Sequence, residues 1–333
     1  MEKPLVTVLM PVFNAREFVA EALESILRQT YSNLEVIVID DGSQDGSVNI
    51  LKSFSDSRLK LFLHENNKGL IATLNEGLEM AQGDYIARMD ADDVAFPERL
   101  EVQVGYMRDN PNVGILGSWV ERFGASKGQV KYPLDDAEIR WELTYRCSFC
   151  HPSVMVRRKV LKSHDLRYDQ RFPHAEDYEF WTRLMDYTRG ANLPRPLLRY
   201  RVHSGNISQT QADIQRHNTE RVIQERFKVW GYEAGLEEVR LFRRFADRSF
   251  EFSPDEVHAL LPLWMHLLSA PQFPDYSKRQ VAQRIQHLLL QSVQLSYQDK
   301  ALILRRLSQE TCMQPGLFWK FRIFLRHFLR NAR

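Results

Sequence analysis

The chain predicts an α/β architecture: a Rossmann-like, mostly parallel sheet over residues 1–212, then an α-helical region over 213–333. Three observations carry that expectation. Short strand-like apolar runs alternate with segments of helical period through the first two hundred residues, which is the signature of a doubly wound sheet. Three of those runs end in polar or acidic clusters, where an open α/β sheet places its ligands. Beyond about residue 212 the pattern is helical, with no convincing strand. With 44% apolar and 26% charged residues in 333, the composition is that of a globular chain.

Taken in order, Val6–Val12 is a short apolar run, and the opening MEKPLVTVLMPVFN has no small-residue cleavage site, so it reads as a first strand and not a signal peptide. Ala15–Gln29 places Phe18, Ala22, Leu23, Ile26 and Leu27 at helical spacing. Leu34–Ile39 reads as a buried strand ending in Asp40-Asp41-Gly42. Gln44–Phe54 is a short helix and Leu59–Leu63 a strand. Lys68–Ala81 is helical, with Leu70, Leu74 and Leu78 on one face, and Gly83 closes it. Asp84–Met89 is a strand running into Asp90. Val113–Gly117 and Ser153–Val156 are further strands, Asp177–Asp186 a helix, and Pro194–Pro196 and Ser204-Gly205 are expected to punctuate the end of the region.

Charge is uneven along the chain. Residues 1–215 carry 26 Lys+Arg against 31 Asp+Glu, a net of −5, and residues 216–333 carry 19 against 12, a net of +7. An acidic first part argues against nucleic acid as its ligand, and a basic last third implies an anionic partner. Three cysteines exclude a disulfide scaffold and fit a reducing compartment. No apolar run reaches the roughly 20 residues a membrane span needs.

The convergent strand ends bring Asp40, Asp41, Asp90, Asp92 and Asp93 toward one cleft, where unpaired carboxylates would repel one another. A divalent cation or a set of hydroxyl donors relieves that repulsion. Asp-x-Asp after a strand suits a hard cation on a nucleotide diphosphate, although alone such a triplet also occurs in solvated turns.

Four blocks stand in order: VTVLMPVFNAREFVAEALESILRQTYSNLEVIVIDDGSQDGS, NNKGLIATLNEGLEMAQGDYIARMDADD, HAEDYEFWTRL and RVHSGNIS. Over residues 4–210 this set resembles the inverting family 2 glycosyltransferases of GT-A fold. The resemblance implies transfer of a sugar from a nucleotide diphosphate sugar, usually a UDP sugar, with inversion at the anomeric carbon and with Mn²⁺ or Mg²⁺. It implies that Pro11, Val12, Phe13, Asn14 and Asp40 line the base pocket and that Asp90 accepts from the ribose. Asp92 would hold the metal, with His203 joining the metal or the phosphates. Asn67, Lys68 and Gly69 open a helix beside the nucleotide, where amides and a lysine favour anions. Arg88 either contacts the nucleotide or pairs with a carboxylate. Asp177 would be the general base that takes the acceptor proton, with Glu176 supporting it or touching the acceptor. Outside that role, the pair would be an acidic helix N-terminus. Arg201 and Ser204 would contact the diphosphate, and His151 the acceptor side.

Other patterns fail on their own terms. Cys147-Ser148-Phe149-Cys150-His151 matches a haem-attachment motif, but nothing directs export and no second Cys pair offers a zinc site, so both read as free thiols. Asp41–Gly46 mimics an EF-hand start, yet Lys52 stands where a bidentate Glu is required. Neither a G-x-G-x-x-G nor a P-loop is present. In the last third, Val257–Leu268 and Ile285–Leu295 suit a small helical core. Leu317, Phe321, Phe324, Leu325 and Phe328 share one helical stripe, and Arg322, Arg326, Arg330 and Arg333 another. Such a helix either lies on an anionic membrane or packs on the domain. The expectation is therefore a cytoplasmic enzyme, peripheral on the inner face of the cell membrane, acting on a saccharide or lipid-linked acceptor in surface polysaccharide biosynthesis. A nucleotidyltransferase and a catalytically inactive nucleotide-sugar-binding protein are the alternatives.

Overall fold

The structure is a computed structural model that describes residues 3–206, 210–247, 251–291, 295–296, 298–300 and 302–303. Contacts divide it into two compact units. One is drawn from residues up to Ile139 and from Cys147–Thr219, the other from Arg140–Arg146 and the described residues from Glu220 onward.

In the first unit, β1 (Val6–Val12) is buried at every position and lies between β2 (Leu34–Asp40) and β4 (Tyr85–Arg88), parallel to both; β3 (Leu59–Leu63) extends the parallel set beyond β2. A strand covered on both faces needs a nearly continuous apolar run, as at Val36–Ile39 and at Val6–Met10, where the one polar residue, Thr7, donates its hydroxyl to Glu35. The helices between these strands are α1 (Val19–Leu27), α2 (Ser47–Ser53) and α3 (Leu70–Met80). Val19, Ala22, Leu23 and Ile26 of α1 share a core with Val6, Val8 and Met10.

After β4 come β5 (Val94–Ala95), α4 (Arg99–Asp109), β6 (Val113–Gly124), β7 (Gly128–Val130) and α5 (Asp136–Glu142). They are followed by β8 (Met155–Arg157), α6 (Arg158–Ser163), α7 (Glu176–Leu184) and β9 (Arg189–Val202). The sheet order is β3-β2-β1-β4-β8-β6-β9-β5, with β7 on β6. The parallel core is thus extended by strands of mixed direction: β8 is antiparallel to β4 and β6, and β9 is parallel to β6 but antiparallel to β5. Pro194–Pro196 does not end the region as expected. β9 runs through both prolines, because the pairing on β6 steps from Leu193 opposite Ser118 to Pro196 opposite Trp119, and this irregularity leaves Pro194 and Arg195 out of the ladder.

The second unit is helical, with α8 (Ala212–Val229, which the chain enters from the first unit), α9 (Leu236–Ala246), α10 (Pro254–Ser269) and α11 (Asp275–Gln291). Ser253 and Glu256 form a reciprocal capping box at the start of α10. Phe227, Phe242, Phe245 and Trp264 are fully buried, with Phe245 and Trp264 ring centroids 4.7 Å apart. Val257, Leu260, Leu261, Leu267, Ile285 and Leu288 are buried in the helical core expected there. Among the described residues no helix is long and apolar enough to cross a membrane. The amphipathic segment expected over 312–333 lies outside the described residues.

Candidate active site

Register places the ends of β1 and β2 side by side, with Val12 opposite Asp40, and the end of β4 beside Leu9. There a cavity of about 360 Å³ is lined by Pro11, Val12, Phe13, Asp41, Asn67, Gly69, Thr73, Asp90, Asp92, His174, His203 and Gly205, among others. Of the residues singled out from the sequence, Pro11, Val12, Phe13, Asn67, Gly69, Asp90, Asp92 and His203 meet at this cleft.

Asn14, Asp40 and Lys68 hold its wall. Asn14 adopts a positive φ of 49°, donates its amide to Ser43 Oγ and accepts from the Gln44 amide. Asp40 is buried. One of its oxygens accepts from the Ser43 amide, and the other has no protein partner. The carboxylate that faces the cleft is its neighbour Asp41, which accepts from His64 and from the amides of Lys68 and Gly69. Burial opposes ionisation of Asp41, but those donors outweigh it and hold its carboxyl below the usual range. Two amides of the 67–69 turn are thereby bonded to a carboxylate, and the Lys68 ammonium reaches Glu76. Gly42, at φ +77°, packs so closely on this turn that a Cβ would stand 2.8 Å from the Asn67 nitrogen.

Asp90 and Asp92, which also line the cleft, and Asp93 bring carboxylate oxygens within 4.8 Å of one another. Burial, together with the neighbouring carboxylates, pushes the Asp93 carboxyl well above its ordinary value, and burial likewise raises Asp90 against the pull of Arg88. Asp93 keeps one buried oxygen with no protein partner. Three crowded oxygen ligands, with the His203 Nε2 at 3.0 Å from Asp92, fit a hard divalent cation. Arg88 is buried and ion-paired to Asp90, the second of its two sequence-level readings. Beneath it the buried Arg99 donates to the Arg88 carbonyl at 2.8 Å.

Arg201 braces this turn. Its amide donates to Asp93, its Nε to the Asp92 carbonyl at 2.7 Å and its terminal nitrogen to Glu21, while Phe18 and Phe123 stand on its guanidinium at 4.6 and 4.3 Å. Ser204 is exposed on the loop that follows.

Glu176 and Asp177 form the first turn of α7, where the helix dipole favours carboxylates. Burial and the adjacent Asp177 push the Glu176 carboxyl up to about 7. Burial also raises Asp177, against the Tyr178 amide, the Arg88 charge and the Cys147 thiol, whose Sγ lies 3.8 Å from its carboxylate. Two adjacent acids in different surroundings can divide the roles of proton holder and base. His151 bonds Tyr168 at 2.8 Å and rests against Trp181; burial keeps its ring well below its usual pKa. Neither His151 nor the Glu176–Asp177 pair lines the cavity itself. Cys147 and Cys150 are free thiols.

Residues 7–164 match the sequence profile described as Glycosyl transferase family 2. An uncharacterized glycosyltransferase of Haemophilus influenzae is 32% identical over 247 residues, covering 70% of this chain and 76% of the relative. This chain belongs to glycosyltransferase family 2. The UDP-Glc:α-D-GlcNAc-diphosphoundecaprenol β-1,3-glucosyltransferase WfgD of Escherichia coli is 30% identical over 210 residues, covering 62% of this chain and 81% of that one. Among solved structures, TarS 1–349 of S. aureus in complex with UDP superposes with a TM-score of 0.56 at 16% identity, over 98% of this chain and 92% of that one. The mannosyltransferase PcManGT of Pyrobaculum calidifontis, in complex with GDP-Man and Mn²⁺, gives 0.51 at 18%, over 98% and 86%.

In this family 2 glycosyltransferase, His174, His64 and Arg99 carry no sequence signal as residues of the site. Asp41 was counted among the acids, but the cleft role went to Asp40. The Asp-Asp pair carries no signal of which side chain turns inward. His174 lines the cleft at a positive φ of 65°, three residues before Asp177; a lone His in a loop gives no such sign. His64 and Arg99 act through other residues and carry no motif.

Proposed function

We propose that this glycosyltransferase moves a sugar from a UDP sugar, with inversion, to a hydroxyl of a saccharide or lipid-linked acceptor in surface polysaccharide biosynthesis. The observation that carries the reading is the cleft that brings the apolar Pro11–Phe13 segment together with Asp90 and Asp92, two members of the acidic cluster. A nucleoside would sit against the first, and a diphosphate with its cation would lie at the second.

Asp92 and His203 would hold the Mn²⁺ or Mg²⁺, with Asp90 toward the ribose. When bound, the cation neutralises charge that builds on the departing diphosphate. Asp177 takes the proton from the acceptor hydroxyl as its oxygen bonds to C1. The C1–oxygen bond to the diphosphate breaks on the opposite face, and UDP leaves with that electron pair. Glu176, neutral up to about pH 7, keeps a second negative charge away from the base. WfgD names a UDP sugar and a diphosphoundecaprenol acceptor, which supports the donor and a lipid-linked acceptor here. Residues 312–333 hold five Lys/Arg, no acid and several aromatics, which supports contact with the anionic inner face of the cell membrane.

The test is calorimetry and turnover with purified protein. UDP should bind more tightly with Mn²⁺ than in EDTA, and one UDP sugar should be hydrolysed slowly without acceptor. Metal-independent binding overturns the cation assignment, and the absence of turnover with every UDP sugar at intact UDP affinity favours the inactive alternative.

A further inference from the structure

We propose that His64 is a positioning residue: wedged between Asp41 and Glu76, its imidazole holds the Asn67–Gly69 lip of the cleft in binding shape and so sets affinity for the donor's nucleoside diphosphate. This rests on the reading above that the cleft takes such a ligand.

His64 follows β3 and donates its amide to the Asp40 carbonyl at 2.9 Å. Its side chain is 4% exposed. Nδ1 lies 2.7 Å from Asp41 Oδ1, and Nε2 lies 3.0 Å from Glu76 Oε2 on α3. Both ring nitrogens therefore face carboxylate oxygens, and only the doubly protonated ring donates to both. Asp41 in turn accepts the Lys68 amide at 2.8 Å and the Gly69 amide at 2.9 Å. The Lys68 ammonium stands 3.2 Å from the same Glu76 oxygen, so Asp41, Glu76 and Lys68 are the charged groups around the ring.

The ring bridges Asp41 and Glu76 only while both of its nitrogens are bonded to the two carboxylates. Without it, Asp41 would lose its tie to α3, and the two amides it carries would lose their fixed acceptor. Those amides belong to the lip itself: Asn67 and Gly69 line the cavity, and Gly69 holds the φ of +91° that starts α3. A ligand would then have to reorder the lip on binding, which costs affinity and not chemistry, because Asp177 and the acidic triad are held by other elements.

The test compares wild type with His64→Gln and Glu76→Gln by calorimetry with UDP and Mn²⁺, steady-state kinetics, and amide hydrogen exchange. His64→Gln should weaken UDP about tenfold, the scale of one charge-assisted hydrogen bond. It should raise the donor KM by the same factor, leave kcat within about twofold, and speed exchange at Lys68 and Gly69. Glu76→Gln, at a more exposed position, should do the same to a smaller extent, and it carries the test if His64→Gln does not fold. An unchanged KM, a fall in kcat at constant KM, or unchanged exchange at Lys68 and Gly69 overturns the proposal. If wild type binds no UDP, the nucleotide reading fails, while the exchange comparison still decides whether His64 holds the lip.

Discussion

The His203 imidazole Nε2 stands 3.0 Å from a carboxylate oxygen of Asp92, although the two are 111 residues apart. The contact joins the end of β9 to the turn after β4 and sets an imidazole nitrogen beside the acidic cluster. Both side chains are about a quarter exposed, and both line the cleft.

Asp92→Ala and His203→Ala should each reduce the enhancement of UDP binding by Mn²⁺. The loss should be near complete for Asp92 and partial for His203, since a carboxylate suits a hard cation better than imidazole. Calorimetry with and without EDTA measures this. Equal Mn²⁺ enhancement in wild type and Asp92→Ala would remove Asp92 from the metal site.

Asp177→Asn keeps the shape of the side chain but cannot accept a proton. UDP affinity should stay close to wild type while turnover falls by about 10²–10⁴-fold. Near-normal turnover in this variant, with loss in Glu176→Gln, would move the base to residue 176.

Glu176 also predicts a pH dependence of stability. Its carboxyl titrates near 7 in the folded protein against an ordinary 4.5, so across that interval the folded state holds a proton that the unfolded chain has released. Stability therefore falls as pH rises through the window and levels off above it, by at most about 3 kcal/mol. Glu176→Gln escapes the penalty. Its melting temperature should exceed that of wild type at pH 8, and the gap should close toward pH 4.5. A gap independent of pH would show that the carboxyl does not titrate in this range.

Deleting residues 312–333, with their five basic side chains, should reduce co-sedimentation with vesicles containing anionic lipid. High salt should weaken binding of the full chain only in part, because aromatic burial is not screened. Unchanged co-sedimentation of the shortened chain would sink the membrane assignment.

Much of the first unit was legible in the sequence because its signals are local. Apolar runs such as Val6–Val12 and Leu59–Leu63 match their strands residue for residue, and the Asp-x-Asp and Glu176-Asp177 motifs are short. Period and turn chemistry reside in neighbouring residues, so sequence alone determines them. The mixed half of the sheet was legible only in part: the strands expected at Val113–Gly117 and Ser153–Val156 overlap β6 and β8, whereas β9 carried no local signal. β9 crosses two prolines only because the irregular pairing on β6 leaves room for them, and that is a property of the partner strand. The same holds for the site. Which of Asp40 and Asp41 faces the cleft, how Arg201 comes to brace the acidic turn, and why His64 meets a carboxylate at each ring nitrogen depend on groups brought together from distant parts of the chain. Burial, charge pairing and hydrogen-bond saturation act through space, and only the tertiary structure decides them.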